Sequence, residues 1–154
     1  MHKRIYIDTS VIGGCLDEEF SHWSNQLMRE FRNGFKIAII SDLTLRELEW
    51  APEAVKKILS SIPEDNLEYV FLASEAEQLA RRYIEEKVVT IKHIVDAQHI
   101  AIATREHVDV LVSWNFQQIV NLDRIHLFNA VNLKLGYPIL EIRSPREVIY
   151  EKEI

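Results

Sequence analysis

The sequence predicts an α/β fold, a three-layer sandwich in which a parallel β-sheet carries helices on both faces. Three observations carry this prediction. Short apolar runs, several rich in β-branched residues, recur at 5–7, 36–40, 67–72, 109–113 and 139–142. Between them lie stretches whose apolar residues recur at spacings of three and four, the period of an amphipathic helix. Each gap is long enough for a helical crossover, which parallel neighbours need. In such sheets ligands sit outside the carboxyl ends of the strands, so the polar residues directly after a strand matter most.

Taken in order, Ile5-Tyr6-Ile7 reads as a buried strand ending in the polar turn Asp8-Thr9-Ser10. Gly13-Gly14 predicts a loop. Phe20, Trp23, Leu27 and Phe31 space a helix that stops near Asn33-Gly34, before a second strand at 36–40. Thr44-Leu45-Arg46-Glu47 has the form of a capping box, which predicts a helix opening at Thr44, running to Trp50 and ended by Pro52. A further helix covers 53–60 and stops at Pro63, ahead of the third strand at 67–72. Residues 74–87 form a charged amphipathic helix with Ala76, Leu79, Ala80, Tyr83 and Ile84 on one side, and 91–108 the most apolar helix of the chain. The fourth strand is 109–113. A helix over 123–135 is closed by Gly136, the fifth strand is 139–142, and Pro145 starts a last helix. With no internal repeat and no linker, a single domain over 1–154 is expected.

The 154 residues have ordinary globular composition, 47% hydrophobic and 27% charged, which argues against a disordered or fibrous chain. The one cysteine, Cys15, excludes an internal disulfide and a cysteine-based zinc site, and a reducing, cytoplasmic setting fits. No apolar run approaches the ~20 residues of a membrane helix. Met1-His2-Lys3-Arg4 has the charge of a signal-peptide start, but Asp8 interrupts the apolar stretch that would follow. The formal charge is −6, the opposite of the profile of a general nucleic-acid binder, so any such binding needs a local basic patch.

Four oxygen-bearing residues stand in apolar company. Asp8 follows the first strand directly, where it either forms the turn or lines a site. Glu47 either completes the capping box with Thr44 or serves a site. Asp96 lies within Ile94-Val95-Asp96-Ala97-Gln98-His99-Ile100. A carboxylate there needs a partner, and the structural alternative to function is a salt bridge to Arg81 or Lys92. Asn115 follows the fourth strand and has a loop-closing alternative. Carboxylates gathered in one cleft repel each other unless a cation neutralises them. An all-oxygen set favours Mg²⁺ or Mn²⁺ over Zn²⁺. His93, Asp96 and His99 suggest zinc by spacing, but six helical residues turn about 600° and leave the two histidines roughly 120° apart. His99 therefore reads as a supporting or packing residue rather than a ligand.

The ordered pieces Ile5-Tyr6-Ile7-Asp8-Thr9-Ser10, Ser41-Asp42-Leu43-Thr44-Leu45-Arg46-Glu47-Leu48, Asp96-Ala97-Gln98-His99-Ile100-Ala101-Ile102-Ala103 and Leu111-Val112-Ser113-Trp114-Asn115-Phe116 resemble those of PIN-domain proteins of the VapC-like toxin type, from Arg4 to about Phe116. The resemblance implies a PIN-like sandwich and a metal-dependent endoribonuclease. It places Asp8, Glu47 and Asp96 at the family's acidic, metal-holding positions. Asn115 falls where many members carry an acid, which takes one negative charge from the site. The cofactor implied is Mg²⁺ or Mn²⁺; the partners are RNA, a small antitoxin and a second copy of the chain, with no membrane. Asn115 and Ser113 are candidates for orienting a water or a phosphate oxygen by hydrogen bonding, Thr9 and Ser10 for doing likewise near Asp8, Lys92 (with His93 beside it) for phosphate contact, and Trp114 either stacks on a base or packs at the strand end. Two other classes compete: a PIN-like module that binds RNA or protein without cutting, and a phosphohydrolase of small molecules, weakened by the lack of a phosphate-cradling glycine loop.

Overall fold

The computed structural model describes residues 2–150, so the ends of the expected domain, 1 and 151–154, lie outside the described residues. In chain order the elements are β1 (Lys3–Ile7), α1 (Thr9–Gly14), α2 (Ser21–Arg32), β2 (Lys36–Ser41), α3 (Asp42–Leu48), α4 (Glu53–Ser60), β3 (Leu67–Val70), α5 (Ser74–Glu85), α6 (Ile94–Arg105), β4 (Val110–Val112), α7 (Leu122–Lys134), β5 (Ile142–Arg143) and α8 (Pro145–Val148), with single 3₁₀ turns at Glu64–Asn66 and Ile91–His93. The strands form one sheet in the order β3-β2-β1-β4-β5, and every pairing is parallel.

Alternation along the strands divides the core into two layers. Ile5, Ile7, Ala38, Ile40, Val110 and Val112 face one side, where they meet Val11, Ile12, Leu27, Met28, Phe31, Val55 and Leu59 of α1, α2 and α4. Tyr6, Ile39 and Leu111 face the other, against Leu79, Tyr83, Ile100 and Phe128 of α5, α6 and α7. The three-layer sandwich with a parallel sheet is thus as the sequence predicts. Among the described residues no helix is long and apolar enough to cross a membrane.

Several local expectations are corrected. Gly13-Gly14 is not a loop but the end of α1. Gly14 is needed there for close approach: a Cβ would lie 2.6 Å from Ser24 Oγ and 2.7 Å from Trp114 Nε1. The capping box at Thr44 does not form. Ser41, one turn earlier, accepts from the Thr44 amide and starts α3. The capping box that does form joins Ser144 to Glu147 at the head of α8. The helix expected over 91–108 is split, because Ile91–His93 is a separate 3₁₀ turn and α6 ends at Arg105. The fifth strand is shorter and later than 139–142; Ile139 is exposed and only Ile142–Arg143 pairs with β4. Helices α5 and α6 are followed by Lys87 and His107 at positive φ, positions where glycine is the usual signal and none stands.

Gly14→Ala is expected to destabilise the fold by about 1–3 kcal/mol through overpacking against Ser24 and Trp114. Urea unfolding monitored by tryptophan fluorescence measures it; an unchanged midpoint would contradict the close approach.

Candidate active site

The strand order reverses direction of growth at β1: β2 and β3 extend one way, β4 and β5 the other. The switch point of the sheet, where folds of this kind place their sites, therefore lies at the carboxyl ends of β1 and β4. Ile7 pairs with Val112, so the next residues, Asp8 and Ser113, leave adjacent strands side by side. Asp8 is 6% exposed. Ser10 Oγ donates to its Oδ1 and Ser113 Oγ to its Oδ2, each at 2.6 Å. The two hydroxyls are themselves held, Ser10 by the Trp114 amide and Ser113 by the Asn115 amide, both at 2.9 Å. The loop after β4 thus braces the acid after β1.

Glu47 arrives from the last turn of α3, its side chain 44% exposed. Released from the expected capping role, its Oε1 lies 3.0 Å from His99 Nε2. Asp96 stands in the first turn of α6 rather than deep in an apolar helix, with its side chain 25% exposed. Its neighbour is neither Arg81 nor Lys92 but His93, whose Nδ1 lies 3.5 Å from Oδ2.

Asp96 feels both of the other carboxylates. Burial raises the Asp96 pKa above the ordinary carboxylate range, and the charges of Asp8 and Glu47 add to the rise against the opposing histidines 99 and 93. Burial likewise raises Asp8, opposed by the His99 charge, the Ser10 and Ser113 hydroxyls and the Val11 amide. Burial works on Glu47 in the same direction, but the hydrogen bond and charge of His99, aided by Thr9, outweigh it and leave Glu47 below its ordinary value. Thr9, at the head of α1, has a buried hydroxyl without a hydrogen-bond partner.

The donor chemistry is all-oxygen, carboxylate and hydroxyl, which suits a hard divalent cation. As the side chains stand, however, no group of three or more acidic, histidine or cysteine residues among the described ones is close enough to hold one ion. The set is a loose acidic cleft rather than a closed cage.

The remaining candidates are placed as follows. Asn115 uses its Oδ1 to accept from the amides of Gln117 and Gln118, at 3.2 and 3.0 Å, the loop-closing arrangement. Trp114 is 8% exposed, stacks on Phe20 at 4.1 Å and donates from Nε1 to Ser24, so its ring is a core ring rather than an open platform. Lys92 is exposed on the 3₁₀ turn that leads into α6. Sequence reasoning missed the support behind Glu47: Tyr6, buried in β1, reaches both Ser41 and His99. The available signal was a histidine three residues after Asp96 in an otherwise apolar stretch.

No family model and no curated protein matches the chain. Solved structures do. VapBC2 from Rickettsia felis, bound to a DNA fragment from its promoter, is 17% identical over 92% of this chain and 98% of its own, with a TM-score of 0.55. VapC20 of Mycobacterium tuberculosis, described as a toxin that cleaves the sarcin-ricin loop, is 12% identical over 88% and 98%, TM-score 0.58. FitAB bound to DNA is 12% identical over 96% and 99%, TM-score 0.58. At these identities the likeness is one of fold, and the chain has the PIN-type fold of the VapC toxins.

Because Asp8 titrates above its unfolded value, its contribution to stability is present below the unfolded carboxylate range and is lost as pH rises through the raised value. Asp8→Asn is therefore expected to melt at a higher temperature than the parent protein at pH 7, with the gap closing toward about pH 4. Calorimetry across that range checks both the sign and the trend; a less stable variant at pH 7 would contradict them.

Proposed function

We propose that the chain is a metal-dependent endoribonuclease that hydrolyses RNA phosphodiester bonds and serves as the toxin of a toxin–antitoxin pair. The observation that supports it most is that the charges of Asp8 and Glu47 both reach Asp96 and add to the rise of its pKa. The PIN-type fold supports the same reading.

In this reading Asp8 and Asp96 hold Mg²⁺ or Mn²⁺, with Glu47 holding the ion or a water on it. When bound, such an ion lowers the pKa of a water and stabilises charge gathering on the phosphoryl group. The chain's own residues supply the rest. Ser10 and Ser113 pin both oxygens of Asp8, so its orientation is set before substrate arrives. Glu47 is kept ionised by His99. Lys92 and His93, at the approach to Asp96, offer positive charge to phosphate in an otherwise acidic protein. Thr9 places its hydroxyl beside Glu47 and helps hold that carboxylate ionised. A small antitoxin that covers this cleft is the partner implied, and a second copy of the chain remains part of the proposal.

One observation favours a second reading, a PIN-like module that binds without cutting. Asn115, at the position where many such proteins carry an acid, spends its side-chain oxygen on its own loop.

Cleavage of RNA is expected only with Mg²⁺ or Mn²⁺, to stop on chelation and to return on adding either ion. Asp8→Asn and Asp96→Asn should each abolish it with an unchanged circular dichroism spectrum. Full activity in both variants would falsify the site; tight RNA binding without cleavage in the parent protein would establish the second reading.

A further inference from the structure

His99 is a buried imidazole in an apolar stretch of α6, 3% exposed, with Ile100, Ala101 and Ile102 beside it. A ring taken out of water needs partners for both nitrogens, and both have one. The Tyr6 hydroxyl meets Nδ1 at 2.6 Å, and the two rings stand edge to face with centroids 5.7 Å apart. The Tyr6 hydroxyl also meets Ser41 Oγ at 2.8 Å, the residue that caps the start of α3. On the other side Nε2 lies 3.0 Å from Oε1 of Glu47, in the last turn of that same helix. A carboxylate has no hydrogen to give, so Nε2 carries one and donates it. One polar chain, Ser41–Tyr6–His99–Glu47, thus links both ends of a seven-residue helix through β1 and α6.

Glu47 needs such a hold. Its side chain is half-exposed and long, and it projects from the end of a short helix. Left alone it would sample many rotamers. We propose that His99 is a positioning residue: its Nε2–H fixes Oε1 of Glu47 and so sets the direction of the carboxylate, while Tyr6 locks the imidazole from behind. Outer partners that orient a ligating side chain in this way tune a metal site without touching the ion. The inference rests on the reading of Glu47 as a site residue.

Two isosteric variants separate positioning from packing. In His99→Gln the amide nitrogen stands as many bonds from Cβ as Nε2 does and can still reach Glu47. In His99→Asn it stands where Nδ1 does, so Tyr6 keeps a partner and Glu47 loses one. In metal-free protein, ¹⁵N NMR is expected to find Nε2 protonated. The ¹³C signal of the Glu47 carboxyl should move in His99→Asn and stay in His99→Gln. Mn²⁺ binding, followed by electron paramagnetic resonance, should weaken about 10–100-fold in His99→Asn and be largely kept in His99→Gln. An unprotonated Nε2, or a Glu47 signal unmoved in a folded His99→Asn, overturns the proposal. So does equal Mn²⁺ affinity in that variant and the parent. If the parent binds no Mn²⁺, the metal reading fails by itself, and the Glu47 carboxyl signal still decides the role of His99.

Discussion

A carboxylate held out of water between the ends of two central strands constrains more of this molecule than any other feature. Placing an ion in a protein interior costs on the order of several kcal/mol, and the cost is tolerable only with good hydrogen bonds. Asp8 has them from two serines, and each serine is fixed by a backbone amide of the loop after β4. That loop must therefore sit against α1. Trp114 anchors it there, stacked on Phe20 and tied through Ser24 to the Val11 carbonyl. Gly14 must lack a side chain for the indole to come so close. The acid, the loop, the tryptophan and the glycine form one dependent set.

The other two acids are arranged on different terms. Glu47 and Asp96 come from the end of one helix and the start of another, and each has a histidine beside it. Opposed shifts result: Asp96 is pushed up, Glu47 is held down. Adjacent carboxylates whose environments drive their ionisation apart are a mark of sites built for chemistry rather than for stability.

How far the chain could be read before folding is clear from particular residues. Ile5-Tyr6-Ile7 followed by Asp8 marked both a central strand and the acid at its end, because a strand's two-residue alternation and its polar terminus are local facts. The amphipathic spacing of Phe20 to Phe31 was equally local. Gly13-Gly14 and Thr44–Glu47 misled because their local signals, glycines for a loop and Thr-x-x-Glu for a cap, were overruled by partners outside the motif: Trp114 and Ser24 for the first, Ser41 and His99 for the second. Lys87 and His107 ended helices with no glycine to announce it.

Periodicity and strand-end chemistry were enough to specify a layered parallel sheet and to nominate Asp8, Glu47 and Asp96, since both depend on neighbours within a few residues. Sequence spacing could not say that Trp114 lies in the core, or that Tyr6 and His99 stand behind Glu47. Those outcomes depend on contacts across 93 residues between Tyr6 and His99 and 90 between Trp114 and Ser24. Only closure of the sheet brings such groups within hydrogen-bond reach, and a hydrogen bond weakens steeply with distance and angle.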